Sequence, residues 1–357
     1  MVTASDDQRL DRALGALIGG ALGDALGMPT QLLSPGEIAQ TYGYVDDFVA
    51  PTADHPVSKG LPAGAITDDT EQTLLLARVL LNSTEGFDHA GWIEALVEWE
   101  RDVRARGSLD LLGPSTKRAI EAIKNGASAE EAGSSGDTNG AAMRIAPVGI
   151  MAHFEPLEDL IERVADTCRA THNTSVAIAS AAAVAAAVSY GVAGGDWRAA
   201  SLLAIEAADR AAGQGHWIAG ADIAARIKWA RDLVSGCDRQ EAITLVVDLV
   251  GTSVASQESV PAAFAILEIA QGDPWQAAVI GANVGGDTDT IGAIAAGMAG
   301  ACTGLTALPS DKIARLKGIN SADVRQLAAD LLAVRPQEGE REPAKAGDTD
   351  SNGKDAA

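Results

Sequence analysis

The chain has few aromatic residues and few cysteines. Only 4% of its 357 residues are aromatic, whereas 47% are hydrophobic and 38 are glycine. Small residues of this kind suit close helix–helix contacts better than a β-sandwich, which needs aromatic and β-branched side chains. Cys168, Cys237 and Cys302 are widely spaced and form no CxxC pair, which disfavours a disulfide framework or a thiolate metal site. The composition favours closely packed helices, and the cysteine usage fits a reducing cytoplasm.

Basic residues are also scarce. The chain has 27 Lys and Arg against 49 Asp and Glu, a formal net charge of −22. Nucleic-acid and anionic-membrane partners require basic surfaces, so we expect neither. The N-terminus has no basic stretch followed by an apolar run, so no secretory signal is expected. The longest apolar run, residues 176–193, approaches a membrane span in length, but its many alanines favour a central buried helix.

An acidic cluster lies directly before an apolar segment near the C-terminal end. Two carboxylates and two hydroxyls fall within the four residues Asp287, Thr288, Asp289 and Thr290, and residues 291–301 are small and apolar. Oxygen ligands suit hard cations such as Mg²⁺ and Mn²⁺, and a helix N-terminus also favours anions. Asp and Thr side chains can also simply cap the start of a buried helix. This motif alone leaves the metal site and the helix cap both open.

A second cluster has the same arrangement. Thr67, Asp68 and Asp69 stand before a predicted helix over residues 72–82, after a proline-rich connection at 34–64 that can fold over a site. Two clusters at helix N-termini can meet in space and hold two divalent ions roughly 3.5 to 4 Å apart, which would clamp a substrate and activate a water molecule. Together the two clusters could supply six oxygen ligands.

The first predicted helix, residues 10–26, is rich in glycine. Glycine destabilises a helix by roughly 0.5 to 1 kcal/mol per position, so its frequency indicates that another backbone packs very closely here. Asp24, in an apolar stretch, is interpreted as a hydrogen-bonded structural acid. Gln31 follows the helix and can face a site at its end. The glycines are Gly15, Gly19, Gly20, Gly23 and Gly27.

Two further segments are candidates for ligand contact. The loop GSSGDTNG at 133–140 can present backbone N–H groups and the Asn139 amide to a sugar or phosphate, or can form a simple turn. His172 precedes the alanine-rich helix, where a lone histidine is more often structural. The other histidines have no partners at metal-ligand spacing, so zinc is not favoured.

Domain organisation follows from composition along the chain. Residues 1–8 are expected to be frayed, residues 9–334 to form one domain, and residues 335–357 to be a disordered polar tail, because that last segment is too poor in apolar residues to fold. Within the domain, further helices are predicted over 197–213, 217–235, 239–250, 260–270 and 309–334.

Taken together, five motifs resemble the ADP-ribosylglycohydrolase family, all-helical hydrolases that include the dinitrogenase reductase-activating enzymes. They occur in the family's order between residue 10 and about residue 305. The motifs are LGALIGGALGDALGMP (14–29), ITDDTEQTLLLA (66–77), TNGAAMRIAPVG (138–149), ATHN (170–173) and GGDTDTIGAIAAGMAGA (285–301).

The resemblance implies a compact orthogonal helical bundle with a binuclear Mg²⁺ or Mn²⁺ centre in a cleft. Thr67, Asp68 and Asp69 match the family's first group of metal ligands. Asp287, Asp289 and Thr290 match its second group. The loop after Thr138 matches the segment beside ADP-ribose, and His172 matches a histidine of the same cleft. The predicted substrate-binding residues are Gln31, Asn139, Gly140, Met143, Arg144, His172, Gly285 and Gly286.

The chain departs from the family pattern at two places. Gln31 stands where many members carry a Glu, and an amide can neither carry charge nor accept a proton. Leu111 and Leu112 stand where some members have an Asp before the glycine that corresponds to Gly113. The carboxylate base that the family has at these positions is therefore absent at both.

Three functions fit this pattern. In the first, water that has lost a proton to a metal-ligating carboxylate, Asp68 or Asp289, attacks C1″ of ribose and releases a protein nitrogen or oxygen. In the second, the same site hydrolyses small ribosides such as nucleosides. In the third, the chain is a weakly catalytic ADP-ribose-binding module. The expected partners are an ADP-ribose-containing or riboside substrate, with an ADP-ribosylated protein as a candidate.

Overall fold

The structure, a computed structural model, describes residues 4–83, 86–106 and 113–336, and those ranges contain helices and no strand. Two isolated bridges, Thr138 with Ala255 and Thr174 with His216, are the extended pairings in the same ranges. The predicted all-α class is confirmed.

Eighteen α-helices follow one another through the described ranges, and the longest connection within those ranges, residues 43–67, leads to Asp68. The first nine are α1 (Asp6–Gly27), α2 (Pro35–Tyr42), α3 (Asp68–Asn82), α4 (His89–Ala105), α5 (Pro114–Lys124), α6 (Ala129–Ala132), α7 (Gly140–Met143), α8 (Ala146–Met151) and α9 (Leu157–Cys168). The next nine are α10 (Ser175–Val192), α11 (Trp197–Ala211), α12 (Ile223–Val234), α13 (Arg239–Leu245), α14 (Ser256–Ile269), α15 (Pro274–Gly281), α16 (Thr288–Thr303), α17 (Ser310–Arg315) and α18 (Ser321–Ala333). A π-helical turn at Val246–Val250 and a 3₁₀ turn at Leu305–Ala307 complete the set.

Helices α1 and α16 are antiparallel, and their backbones touch along most of their length. A Cβ atom added at Gly15 would lie 2.2 Å from the Gly300 carbonyl oxygen, and one added at Gly23 would lie 2.2 Å from that of Gly292. Only residues without a side chain allow this approach. The contact brings the C-terminal end of α1 beside the N-terminal end of α16, so Gly27 lies against Thr288.

Helix α10 lies in the centre of the molecule. By length and composition it is the one helix among the described residues that could cross a membrane, but 89% of that segment is buried by other helices. Every residue of α10 except Tyr190 is buried, and most of them belong to the main hydrophobic core. The prediction of a central buried helix over 176–193 is confirmed.

Two helix starts differ from the predictions. The Ser5 hydroxyl accepts a hydrogen bond from the Gln8 N–H, and the Ser5 N–H donates one to Gln8 Oε1, so α1 begins at Asp6 rather than at residue 10. Helix α2 lies inside the connection at 34–64 that was predicted to be irregular. Its Ser34 forms the same capping box with Glu37, and Pro35 occupies the first helical position, where proline is tolerated.

The predicted C-terminal helix is interrupted by a turn. The packed part of the chain extends one residue further than predicted. Gly318, with a φ of +76°, separates α17 from α18 within the segment predicted as one helix. Arg335, predicted as the first residue of the tail, is buried and donates hydrogen bonds to the carbonyl oxygens of Gly149, Ile150 and Ala152. The helical body therefore includes Arg335. The rest of the predicted tail, 337–357, and residues 1–3 lie outside the described ranges.

Candidate active site

The two Thr/Asp clusters meet in the structure. Asp68 and Asp69 begin α3, while Thr288, Asp289 and Thr290 begin α16. The Thr290 hydroxyl donates a hydrogen bond to Asp69 Oδ2 over 3.3 Å, which joins the clusters across 221 positions of sequence. All of the predicted metal ligands therefore lie at two adjacent helix N-termini.

Asp24 of α1 holds the first cluster in place. Its fully buried carboxylate accepts hydrogen bonds from the Thr67 N–H and hydroxyl, at 3.0 and 2.8 Å, and from the Thr70 N–H and hydroxyl, at 3.1 and 2.5 Å. Thr67 makes no side-chain cap of its own. Asp24 therefore caps α3 from a different helix, as expected for a hydrogen-bonded structural acid.

Strong electrostatic repulsion is concentrated at this site. Burial raises the pKa values of Asp68, Asp69 and Asp289 well above the ordinary aspartate value, and the neighbouring carboxylates add to the shift. Burial also raises the pKa of Asp287, although a hydrogen bond from Asn139 opposes the shift. Like charges in a poorly solvated site disfavour the ionised form. A bound cation would relieve this repulsion.

The residues present fit a hard divalent cation. Asp69 Oδ1 and Asp289 Oδ1 are buried and accept no hydrogen bond, so each has an unused oxygen. The hydroxyls of Thr67 and Thr290 each lie 3.3 Å from Asp69 Oδ2, so neutral oxygen donors stand beside these carboxylates. Mixed carboxylate and hydroxyl ligands favour Mg²⁺ or Mn²⁺ over zinc.

Gly285 and Gly286 form the turn that leads into α16. Both have positive φ angles, of 75° and 73°, and a Cβ atom on Gly286 would lie 2.3 Å from the Thr252 carbonyl oxygen. Gly286 also exchanges backbone hydrogen bonds with Leu32 and Leu33, at 2.7 and 2.9 Å. The predicted substrate-binding glycines thus fix the chain after α1 against the second cluster.

Gln31 lies beneath the connection that precedes α3. Its Nε2 donates to the Ser58 hydroxyl over 2.8 Å, and its backbone carbonyl lies 3.0 Å from His55 Nε2. His55 Nδ1 accepts hydrogen bonds from the N–H groups of Val57 and Ser58, so the ring proton is on Nε2 and is donated to Gln31. The segment around residues 55–58 therefore folds onto Gln31, as predicted for the connection at 34–64.

Asn139 contacts the acid cluster directly. Its amide Nδ2 donates to Asp287 Oδ2 over 2.5 Å and to the Ser259 hydroxyl over 3.0 Å. Both amide hydrogens are therefore used to position protein groups, and the loop at 133–140 is tied to the second cluster.

Gly140, Arg144 and His172 pack together behind this loop. A Cβ atom on Gly140 would lie 2.9 Å from His172 Nε2, so only glycine fits beside the ring. Burial lowers the pKa of His172 well below its ordinary value, and the positive charge of Arg144 adds to the shift. His172 is therefore neutral and fully enclosed. Met143 is partly buried and lines an internal cavity of about 30 Å³ shared with Asp69.

Arg144 is a buried cation. Only 2% of its surface is exposed, and it donates to Gln72 Oε1 over 2.9 Å and to the Thr171 hydroxyl over 2.7 Å. Gln72 was not among the predicted site residues. Its position four residues after Asp68 places it on the same helix face, the one signal in the sequence that could have indicated it. Leu111 and Leu112 lie outside the described residues.

The fold and the acid cluster define an all-α protein with a buried, oxygen-lined acidic site. The ADP-ribosylglycohydrolase family model matches residues 5–341. The chain belongs to the ADP-ribosylglycohydrolase family, and it is therefore a hydrolase that acts on glycosyl bonds. The family is generally dependent on divalent metal.

Individual relatives match over nearly the full chain. It is 34% identical to the uncharacterized protein YegU of Escherichia coli (strain K12), over 92% of this chain and 98% of that protein. It is 30% identical to the ADP-ribosyl-[dinitrogen reductase] glycohydrolase of Rhodospirillum rubrum, over 91% of this chain and 96% of that protein. A solved ADP-ribosylglycohydrolase-related protein complex has a TM-score of 0.65 at 26% identity, covering 92% of this chain and 99% of that one.

Proposed function

We propose that this protein hydrolyses the N- or O-glycosidic bond at C1″ of ribose in an ADP-ribosylated protein or another ADP-ribose derivative. The observation that carries the proposal is the meeting of the two Thr/Asp clusters at the N-termini of α3 and α16. The name of the Rhodospirillum rubrum relative, ADP-ribosyl-[dinitrogen reductase] glycohydrolase, supports it.

Two Mg²⁺ or Mn²⁺ ions would be held by carboxylates and hydroxyls of the two clusters. When bound, such ions stabilise developing negative charge and make a bound water a stronger nucleophile at neutral pH. The ligands are proposed to be Thr67, Asp68, Asp69, Asp287, Asp289 and Thr290. The buried, unpaired oxygens of Asp69 and Asp289 support this assignment.

Asp68 is the proposed general base, with Asp289 as the alternative. Asp69 and Asp289 are buried, whereas Asp68 keeps part of its surface accessible. A group that removes a proton from water must lie within hydrogen-bond reach of that water. Asp68 meets this condition better than the enclosed acids of the cluster. Gln31 and the Asn139 carbonyl are proposed to contact the hydroxyls of the ribose.

Hydrolysis of small ribosides is the second candidate function. It is favoured by the burial of Arg144, whose Nη1 and Nη2 atoms donate to protein acceptors instead of facing the pyrophosphate of an ADP-ribose. A substrate without a pyrophosphate would not need a cation at that position. The two functions differ in the part of the substrate beyond the ribose.

Purified protein should be assayed with Mg²⁺ or Mn²⁺ on ADP-ribosyl-arginine, α-NAD and a panel of nucleosides. We expect turnover of an ADP-ribosyl substrate and an approximately 10²- to 10⁴-fold fall in kcat for Asp68→Ala, the range for loss of a positioned acid or base. Metal binding by the wild type, measured calorimetrically, should be lost in Asp289→Ala. Turnover of nucleosides alone would favour the second function, and absence of metal binding by the wild type would contradict both.

A further inference from the structure

A single amide side chain links the acid cluster to the buried arginine. Gln72 lies one helical turn after Asp68 on α3 and is fully enclosed. Its Nε2 donates to Asp68 Oδ2 over 3.3 Å, and its Oε1 accepts from Arg144 Nη1 over 2.9 Å. Gln72 therefore contacts a cation at one end and a carboxylate at the other.

The chemistry of these two partners permits only one orientation of the amide. A guanidinium has donors and no acceptor, and the carboxylate form of Asp68, the form that would bind a cation, has acceptors and no donor. Rotating the Gln72 amide by half a turn would place N–H₂ against the Arg144 donors and the carbonyl against Asp68. Both hydrogen bonds would then be lost inside the protein, where unpaired polar groups are strongly unfavourable.

Arg144 is itself held firmly enough to impose that orientation. Its Nη2 donates to the Thr171 hydroxyl over 2.7 Å, and its guanidinium lies 5.0 Å from the centre of the Trp92 ring. Burial lowers the pKa of Arg144 only to about 10, so the group stays charged at neutral pH. The Arg144 end of the link is therefore a donor that is charged at neutral pH.

Asp68 is the acid of the cluster that most needs an external constraint. Asp24 accepts four hydrogen bonds, and Asp287 is bound by Asn139, whereas Asp68 is partly accessible. Among the described residues, the side chain that donates a hydrogen bond to the Asp68 carboxylate is Gln72. Packing alone therefore restricts Asp68 less than its neighbours.

We propose that Gln72 is a positioning residue, whose amide is oriented by Arg144 and holds the Asp68 carboxylate in the orientation that binds a divalent ion. This inference rests on the proposed function, because it assigns Asp68 to metal binding. Groups that hydrogen-bond to metal ligands orient them, and their loss typically weakens metal affinity or activity by about 10- to 100-fold.

The test measures Mg²⁺ and Mn²⁺ dissociation constants of the full-length protein and its variants by calorimetry. Gln72→Met preserves side-chain length and removes both hydrogen bonds, so we expect affinity to fall about 10- to 100-fold. Gln72→Glu keeps an acceptor for Arg144 and loses the donor to Asp68, so affinity should fall here as well. The added negative charge by itself would favour the cation, so a weaker affinity would report lost orientation.

Ser189→Ala is the matched control. Ser189 is a fully buried hydrogen-bonding residue near the far end of α10, where its hydroxyl donates to the Ala152 carbonyl. This variant should lower the melting temperature and leave the metal dissociation constant unchanged. It separates a general loss of stability from a loss of positioning.

The proposal is overturned if folded Gln72→Met binds both ions as tightly as the wild type. If Gln72→Met does not fold, wild-type or tighter binding by Gln72→Glu overturns it instead. Failure of the wild type itself to bind either ion would contradict the proposed metal centre, and it is distinguishable because it does not depend on Gln72.

Discussion

Asp24 and Gln31 lie close together in sequence at the end of α1, and each is held by a partner from another segment. Asp24 accepts hydrogen bonds from Thr67 and Thr70, and burial raises the pKa of Asp24 to about 6. Gln31 donates to Ser58. The sequence correctly indicated that Asp24 is a hydrogen-bonded acid, because an acid in an apolar helix needs donors. It did not indicate which donors.

A substitution at Gln31 tests how a neutral amide affects catalysis. Gln31→Glu should raise hydrolysis of ADP-ribosyl-arginine or α-NAD, because a carboxylate can act as general base, a role that typically contributes 10²- to 10⁴-fold. The Ser58 hydroxyl can donate to this carboxylate, so the fold should be retained. Initial rates with each substrate give the comparison.

Gln31→Ala serves as the paired variant. It should raise KM for the true substrate while metal affinity, measured calorimetrically, stays at the wild-type value, since Gln31 is not a proposed ligand. Equal activity of the wild type and both variants on every substrate would show that Gln31 only packs at the end of α1.

Individual helices were predicted best where their local signals are complete. The alanine-rich helix α10 was found within one residue at each end, because its apolar stretch has few interruptions. The start of α12 was predicted too early, at 217, whereas Asp222 caps the helix and Trp217 is exposed. Helix α14 starts at Ser256, before the predicted 260, and contains Pro261.

The close backbone contact between α1 and α16 can be tested by adding a side chain at one of its glycines. A Cβ atom on Gly23 would meet the Gly292 carbonyl at 2.2 Å, whereas one on Gly20 would lie 3.6 Å from the Ala293 carbonyl. Gly23→Ala should destabilise the protein by about 1 to 3 kcal/mol, the usual range for overpacking. Urea denaturation of the wild type and Gly23→Ala measures the difference in their free energy of unfolding.

Gly20→Ala is the control on the same helix. Alanine is favoured over glycine in a helix by roughly 0.5 to 1 kcal/mol, and the Cβ atom has room here, so stability should be unchanged or higher. Metal affinity should fall in Gly23→Ala alone, because separating the helices moves Thr290 away from Asp69. Equal stability of the two variants would contradict a backbone contact at Gly23.

For the whole molecule, the acid cluster would make the binding of a divalent ion depend on pH. The folded-state pKa values of Asp68, Asp69 and Asp289 are raised by burial and mutual repulsion. The folded protein therefore holds protons more tightly than the unfolded chain, and in the absence of metal the contribution of the cluster to stability grows as pH falls through these values. A cation must displace those protons in order to bind.

The rise in melting temperature caused by Mg²⁺ should therefore be large at about pH 8 and small at about pH 5.5. A ligand at 100 times its Kd stabilises a fold by about 2.7 kcal/mol. Differential scanning fluorimetry with and without Mg²⁺ at each pH measures the effect. Asp289→Ala should show no Mg²⁺-dependent rise at either pH, and an equal rise at both pH values in the wild type would contradict the coupling.

The sequence by itself determined the all-α class, the central helix and the two Thr/Asp clusters at helix starts, because those signals depend on composition and near neighbours. Only the tertiary structure decided that Thr290 reaches Asp69 and that Arg144 lies inside the protein, bound to Gln72. Long-range contacts depend on how closely helices pack. The antiparallel glycine contact of α1 with α16 set that distance, and it placed Asp24 where it caps the start of α3.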